Sequence, residues 1–252
     1  MLFSSTTFLF AFLPLVLITY FIVPRVLKNA VLLIFSLVFY AWGEPVYIVL
    51  MLASITVAYV TGIFADKKRK PGCEKTAFIS MLFAVIWNIG LLLFFKYTDF
   101  FIVNANSLFN SSFKVLGLTL PIGISFYSFQ TLSYVIDVYR GEVRSQKNFL
   151  NLATYVSLFP QLIAGPIVRY QTIEDQLNYR KESLSQFSQG IKRFAVGLGK
   201  KVILANNIGA LFAEISAAPQ AELSVAASWL GILAYTCLLY TSPSPRDGAT
   251  SR

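Results

Sequence analysis

Long apolar runs separated by short polar or basic loops set the pattern of this chain. Residues 8–23, 46–64 and 76–95 each approach the length at which a helix crosses a membrane, about 20 residues for a hydrocarbon core of about 30 Å. A shorter run covers 29–42, and others cover 116–138, 149–168, 190–215 and 223–240. The pattern predicts an all-α, polytopic membrane protein. Two stretches depart from ordinary lipid-facing sequence: PIGISFYSFQTLSYVIDVYRG at 121–141 and FPQLIAGPIVRY at 159–170, both rich in Gly, Pro, Gln, Ser and Tyr. A polar group or broken backbone in hydrocarbon costs several kcal/mol unless protein or a water-filled cavity satisfies it. Both stretches are therefore expected to face an interior site.

Composition strengthens the membrane reading. Hydrophobic residues make up 56% of the chain and charged residues 13%, about half the globular norm of roughly 25%, and the mean hydropathy is +0.64. These values exclude a soluble domain. The net charge of +9 does not indicate nucleic acid, because the basic residues sit in short loops, as the positive-inside rule describes. Arg25 and Lys28 follow the first run, and DKKRKPGCEK at 66–75 follows the third. This alternation predicts an N-terminus outside, the 67–70 loop in the cytoplasm and an external stretch at 96–114. The opening MLFSSTTF lacks a basic signal-peptide region, so the first run is read as a retained helix. A glycosylation sequon at Asn110, Ser111 and Ser112 is read as a chance match.

Sidedness becomes strained at 149–168, since Arg140, Arg144 and Lys147 precede it and Arg169, Arg180, Lys181, Lys192 and Arg193 follow it. Pro160, Gly165 and Pro166 interrupt the run, and a proline inside a helix removes a hydrogen bond and clashes with the preceding turn. A re-entrant, broken helix is expected in preference to a kinked span. Residues 171–189 read as a polar connector with some helix. Residues 190–215, interrupted by Lys200 and Lys201, read as an amphipathic element against the cytoplasmic face. The glycines before Lys200 lack phosphate-loop spacing. Cys73 and Cys237 support neither a disulfide nor a nucleophile, no metal site is expected, and no internal repeat is found.

The two polar stretches, followed by GIKRFAVGLGKKVILANNI at 190–208, resemble the membrane-bound O-acyltransferase (MBOAT) family, in its bacterial alginate O-acetyltransferase-like branch. The likeness runs from the N-terminus to about Thr236. It implies the N-terminal half of a multi-helix fold in a bacterial inner membrane, with no bound cofactor. It also implies a cytoplasmic thioester donor (acetyl-CoA or an acyl carrier), an extracytoplasmic acyltransferase partner, and a polysaccharide acceptor such as alginate or a cell-wall polymer. The family's proposed catalytic group is a histidine, and this chain contains none. CLLYTSPSPRD from Cys237 to Asp247 resembles translated sequencing adapter, so the expected division is 1–236, an acyltransferase segment, and 237–252, a non-native tail. No catalytic residue is assigned.

Candidate channel or motif residues are Tyr127, Gln130 and Tyr134, whose spacing of three and four puts them on one helical face, with Asp137 and Arg140 near the end of that span. Gln161, Pro166 and Arg169 match the family motif. Helix packing and channel lining both remain open for the first three. Asp137 and Arg140 read either as a helix-end pair or as functional groups. A transporter or channel, and a structural scaffold, are the competing functional classes.

Overall fold

The computed structural model describes residues 3–69, 71–109, 111–162, 168–180, 182–219 and 223–241. The chain forms two compact units, residues 1–180 and 181–252, and each is described by itself.

In the first unit the apolar runs become helices, because hydrocarbon leaves backbone groups no partner outside the helix itself. These are α1 (Phe8–Ile22), α2 (Lys28–Ala41), α3 (Ile48–Asp66), α4 (Glu74–Phe109) and α5 (Ile124–Arg140). Helices α3 and α4 are long and apolar enough to span a membrane. Helix α3 packs against both α4 and α5, which also pack on each other. Its buried Ser54, Ala58 and Gly62 form a small-residue stripe at intervals of four, which lets neighbouring helices approach closely. A Cβ on Gly62 would lie 2.9 Å from the Tyr134 ring.

Two boundaries differ from the sequence reading. Helix α4 has 36 residues, about 54 Å at 1.5 Å per residue, so the expected external stretch at 96–114 is helix as far as Phe109. No Gly or Pro lies between 96 and 116 to stop it. The following strand of coil runs back alongside: Leu116 N–H donates to Asp99 Oδ1 at 3.1 Å and Phe113 N–H to Asn106 Oδ1 at 2.9 Å. Helix α5 then starts at Ile124, well inside the run expected from 116, because Pro121 and Gly123, at φ +78°, hold the chain out of a helix until there.

The interrupted segment is re-entrant. Helix α6 (Phe149–Ser157) leaves helical geometry at Leu158, a short α7 (Phe159–Leu162) follows, and α8 (Tyr170–Asn178) begins after residues 168–169. Residues 163–167, including Gly165 and Pro166, lie outside the described residues. A straight helix over 149–168 would separate its ends by about 28 Å. Instead the Tyr155 hydroxyl donates to Val168 O at 2.7 Å, and Asn29 Nδ2 of α2 donates to both Asn151 Oδ1 of α6 (2.8 Å) and Leu177 O of α8 (3.0 Å). Entry and exit therefore meet at one end of the bundle.

The basic loops gather at that same end. Lys68 lies 4.0 Å over the Tyr139 ring, Ser145 Oγ donates to Asp66 Oδ2 at 3.1 Å, Tyr59 donates to Lys147 O at 2.7 Å, and Arg180 donates to the Tyr20 hydroxyl at 3.3 Å. At the opposite end Tyr40 donates to Ile122 O (3.0 Å) and Tyr47 to Thr119 O (3.4 Å).

In the second unit α9 (Leu184–Gly199), a π-helical turn (Lys200–Ala205) and α10 (Asn206–Ala217) follow one another without a break. The helix begins earlier than the expected 190 because Ser183 caps it, its Oγ accepting the Gln186 N–H at 3.2 Å. Lys200 and Lys201 open a π turn, which inserts an extra residue while helix continues. Helix α11 (Val225–Thr241) packs back on α10 through Phe212 and Tyr235, whose ring centroids lie 5.2 Å apart. It passes residue 236 unbroken, and the remainder of the expected tail, 242–252, lies outside the described residues.

Candidate functional site: the polar face of α5

The break in the limb explains why two glutamines turn toward the same backbone carbonyl. In an uninterrupted helix the Tyr155 carbonyl would accept the N–H of Phe159. Pro160 cannot continue such a helix, and the two orphaned groups find side-chain partners instead. Phe159 N–H donates to the buried Ser36 Oγ of α2 at 3.2 Å. The Tyr155 carbonyl receives amide N–H groups from Gln130 of α5 at 3.0 Å and from Gln161 at 2.5 Å. The Phe159 ring seats among Phe8, Phe12 and Phe39, fixing the turn against α1 and α2.

Further along α5, Tyr134 and Tyr155 both meet the edge of Tyr170, with centroids 5.1 and 5.3 Å apart. The Tyr134 hydroxyl accepts the Gln146 N–H at 2.8 Å, and Gln146 Nε2 donates to the Tyr170 hydroxyl at 2.8 Å. Burial, reinforced by the charge of Glu174 and opposed by the Gln146 bond, pushes the Tyr170 hydroxyl up to about 12. It is a hydrogen-bonding group near neutral pH and not a proton acceptor. The Glu174 carboxyl is also raised, first by burial and then by neighbouring Asp175.

Tyr127, Gln130, Tyr134 and Asp137 are all buried on α5. Gln130 and Tyr134 are fully engaged with the re-entrant limb. Tyr127 Oη and Asp137 Oδ2, at the two ends of the face, have no hydrogen-bond partner among the described residues, and neither has Ser128 Oγ. An unpaired buried polar atom costs about 1–3 kcal/mol, so these atoms mark where the face is incomplete as a packing interface. The Asp137–Arg140 pair weighed above does not form. Arg140 reaches Glu142 at 3.8 Å, and Arg169 reaches the other oxygen of Glu142 at 3.9 Å. Both guanidinium groups are mostly exposed, so the bridge contributes little energy. It does set two cations beside the buried Asp137. Pro166 lies outside the described residues.

Several contributors escape a sequence reading. Tyr155, Gln146, Glu142 and Ser36 hold the limb through partners that no local spacing reveals. A second buried pair, Thr131 Oγ1 donating to Asn88 Oδ1 at 3.0 Å, ties α5 to α4. The asparagine at the centre of an apolar run was its available signal. Among the described residues no group of three or more His, Cys, Asp or Glu side chains comes together.

Fold and site together define a helical membrane protein whose interior polar face is built on a re-entrant limb. The model of the membrane-bound O-acyltransferase family matches residues 140–242, from the end of α5 through the limb to the end of α11. The chain's relatives include two proteins named "Probable alginate O-acetylase AlgI". That of Azotobacter vinelandii is 37% identical over 95% of this chain and 48% of its own length. That of Pseudomonas aeruginosa is 38% identical over 95% and 46%. A "Peptidoglycan O-acetyltransferase" of Helicobacter pylori is 34% identical over 95% and 51%. The chain thus spans about half the length of the curated relatives it matches. No solved structure matches it.

Proposed function

We propose that these residues form part of a bacterial inner-membrane O-acyltransferase that transfers acetyl, or a related acyl group, to an exported polysaccharide such as alginate or a cell-wall polymer. The observation that carries the reading is the re-entrant limb. Its break is held by Gln130, Gln161 and Ser36, and Tyr127 Oη and Asp137 Oδ2 are buried and unpaired on the helix that packs on it. The family match and the names of the relatives suggest the chemistry.

On this reading the basic end of the first unit is cytoplasmic, the N-terminus is outside, and a thioester donor such as acetyl-CoA or an acyl carrier approaches the end marked by Asp137, Arg140, Glu142 and Arg169. The polymer and an extracytoplasmic acyltransferase partner lie on the opposite side. The chain contains no histidine, and the tyrosine hydroxyl at 170 is too weakly acidic to replace one. On this reading the group that accepts the acceptor's proton is the histidine that the family resemblance implies.

The test is polymer acetylation in a host lacking its own transferase subunit but retaining the partners. The 252 residues alone should give none. Joining residues 1–236 to the C-terminal half of an AlgI relative should restore acetylation, and changing the grafted catalytic histidine to Ala should abolish it, since positioned acid–base catalysis supplies about 10²–10⁴-fold in rate. Acetylation by the 252 residues alone would overturn the assignment of the proton-accepting group to a histidine absent from them, and a joined protein that acetylates nothing would overturn the transferase reading.

A further inference from the structure

A groove of about 500 Å³ runs between α3 and α4 near the basic end of the first unit. Val60 and Phe64 of α3 face Ile79 and Phe83 of α4 across it, all four substantially exposed. Its hydroxyl-bearing residues do not make it polar. Thr56 Oγ1 donates to Leu52 O at 2.8 Å, Thr61 Oγ1 to Val57 O at 2.6 Å and Ser80 Oγ to Ala77 O at 2.9 Å, so these three hydroxyls are spent on their own helices. Trp87, one turn beyond Phe83, donates from Nε1 to Ser54 Oγ at 3.3 Å and bridges the two helices at the deep end. At the shallow end Lys67 lies 4.3 Å over the ring of groove-lining Phe64. Lys67 opens a loop that, with the first residues of α4, carries five basic side chains through residue 75 against the single acid Glu74.

We propose that this groove binds one acyl chain of an anionic phospholipid of the surrounding bilayer, with the lipid's phosphate held by Lys67. Moving a chain from bilayer to an apolar groove gains little, because both are hydrocarbon. Selectivity therefore rests on the headgroup, at about fivefold per basic residue close to the phosphate. The groove contributes position: it threads the chain toward Trp87 and keeps the headgroup at the loop. The site is independent of acyl transfer and lies on the far side of α3 and α4 from the polar face.

Trp87 provides the readout. With Trp42 and Trp229 changed to Phe, the full chain is placed in phosphatidylcholine vesicles containing increasing phosphatidylglycerol. Either lipid is brominated in its acyl chains, and quenching of Trp87 gives the relative association constant. Phosphatidylglycerol should be favoured by about fivefold or more, and Lys67→Gln should reduce that preference by about fivefold. Filling the groove with Thr76→Leu and Ser80→Leu should remove it. Equal constants for the two lipids in the protein with groove and loop intact would overturn the proposal, and that comparison needs no substitution at the site. A preference that survives groove filling would also overturn it, since it would belong to the general lipid shell.

Discussion

The shared hold of Gln130 and Gln161 on one carbonyl makes a quantitative demand on stability. Replacing either by Met keeps the length and shape of the side chain but removes the donor. Each single change leaves the Tyr155 carbonyl with one amide and should cost about 0.5–1.5 kcal/mol, toward the lower end if membrane-buried bonds behave as those measured in other helical membrane proteins, about 0.6 kcal/mol on average. The double change leaves a buried carbonyl with neither amide, while Phe159 N–H remains committed to Ser36. The orphaned group then costs about 1–3 kcal/mol beyond what the single changes predict. The double variant should therefore lose at least about 1 kcal/mol more than the sum of the singles, against the roughly 0.3–0.5 kcal/mol within which independent sites add. Equilibrium unfolding of the four proteins in bicelles closes the cycle. Additive losses would refute the argument, because they would mean that the carbonyl has another partner and that the glutamines do not hold the break.

Other consequences follow from single contacts. Gly62→Ala gains about 1 kcal/mol of helix propensity but drives a methyl to 2.9 Å from a Tyr134 ring that is buried and bonded. Overpacking of about 1–3 kcal/mol should win, giving a lower Tm; an unchanged or raised Tm would contradict the packing described. For Tyr170 the folded hydroxyl, at about 12, lies above its ordinary 10.0, so the stabilisation it carries is complete below pH about 10 and fades as pH rises through about 12. Tyr170→Phe should flatten the loss of stability across that window, as seen in Tm against pH, and a curve parallel to the unsubstituted protein's would count against a buried, bonded hydroxyl.

Much of this arrangement is legible in the chain, for reasons that differ by element. Helices α3 and α4 follow from apolar length alone. The break follows from Pro160, and its re-entrant character from charge, because basic residues flank it on both sides. The stretch 96–114 is read by its side of the membrane and not by its conformation, and a helix already under way there meets no Gly or Pro before Gly117. The face of Tyr127, Gln130 and Tyr134 is visible from spacing, but its partners are not. Ser36 and Phe159 are 123 residues apart and Asn29 and Leu177 148 apart, and no local periodicity encodes such pairings. Gln130 and Gln161 were visible as polar anomalies, whereas their common target, a backbone carbonyl, leaves no mark in a sequence. Arg140 pairs with Glu142, just past the turn at Gly141, a partner the spacing of Asp137 and Arg140 does not indicate.

The segment around the break enters and leaves at the same end of the bundle. With Cys73 changed to Ser and Cys237 to Ala, single cysteines at Arg144 and Tyr179, on either side of the limb, can be compared with one at Asn106 by a membrane-impermeant thiol reagent applied to intact cells. Positions 144 and 179 should both be protected and become reactive together on permeabilisation, while 106 is labelled from outside. Labelling of 144 and 179 from opposite sides of the membrane would contradict the account.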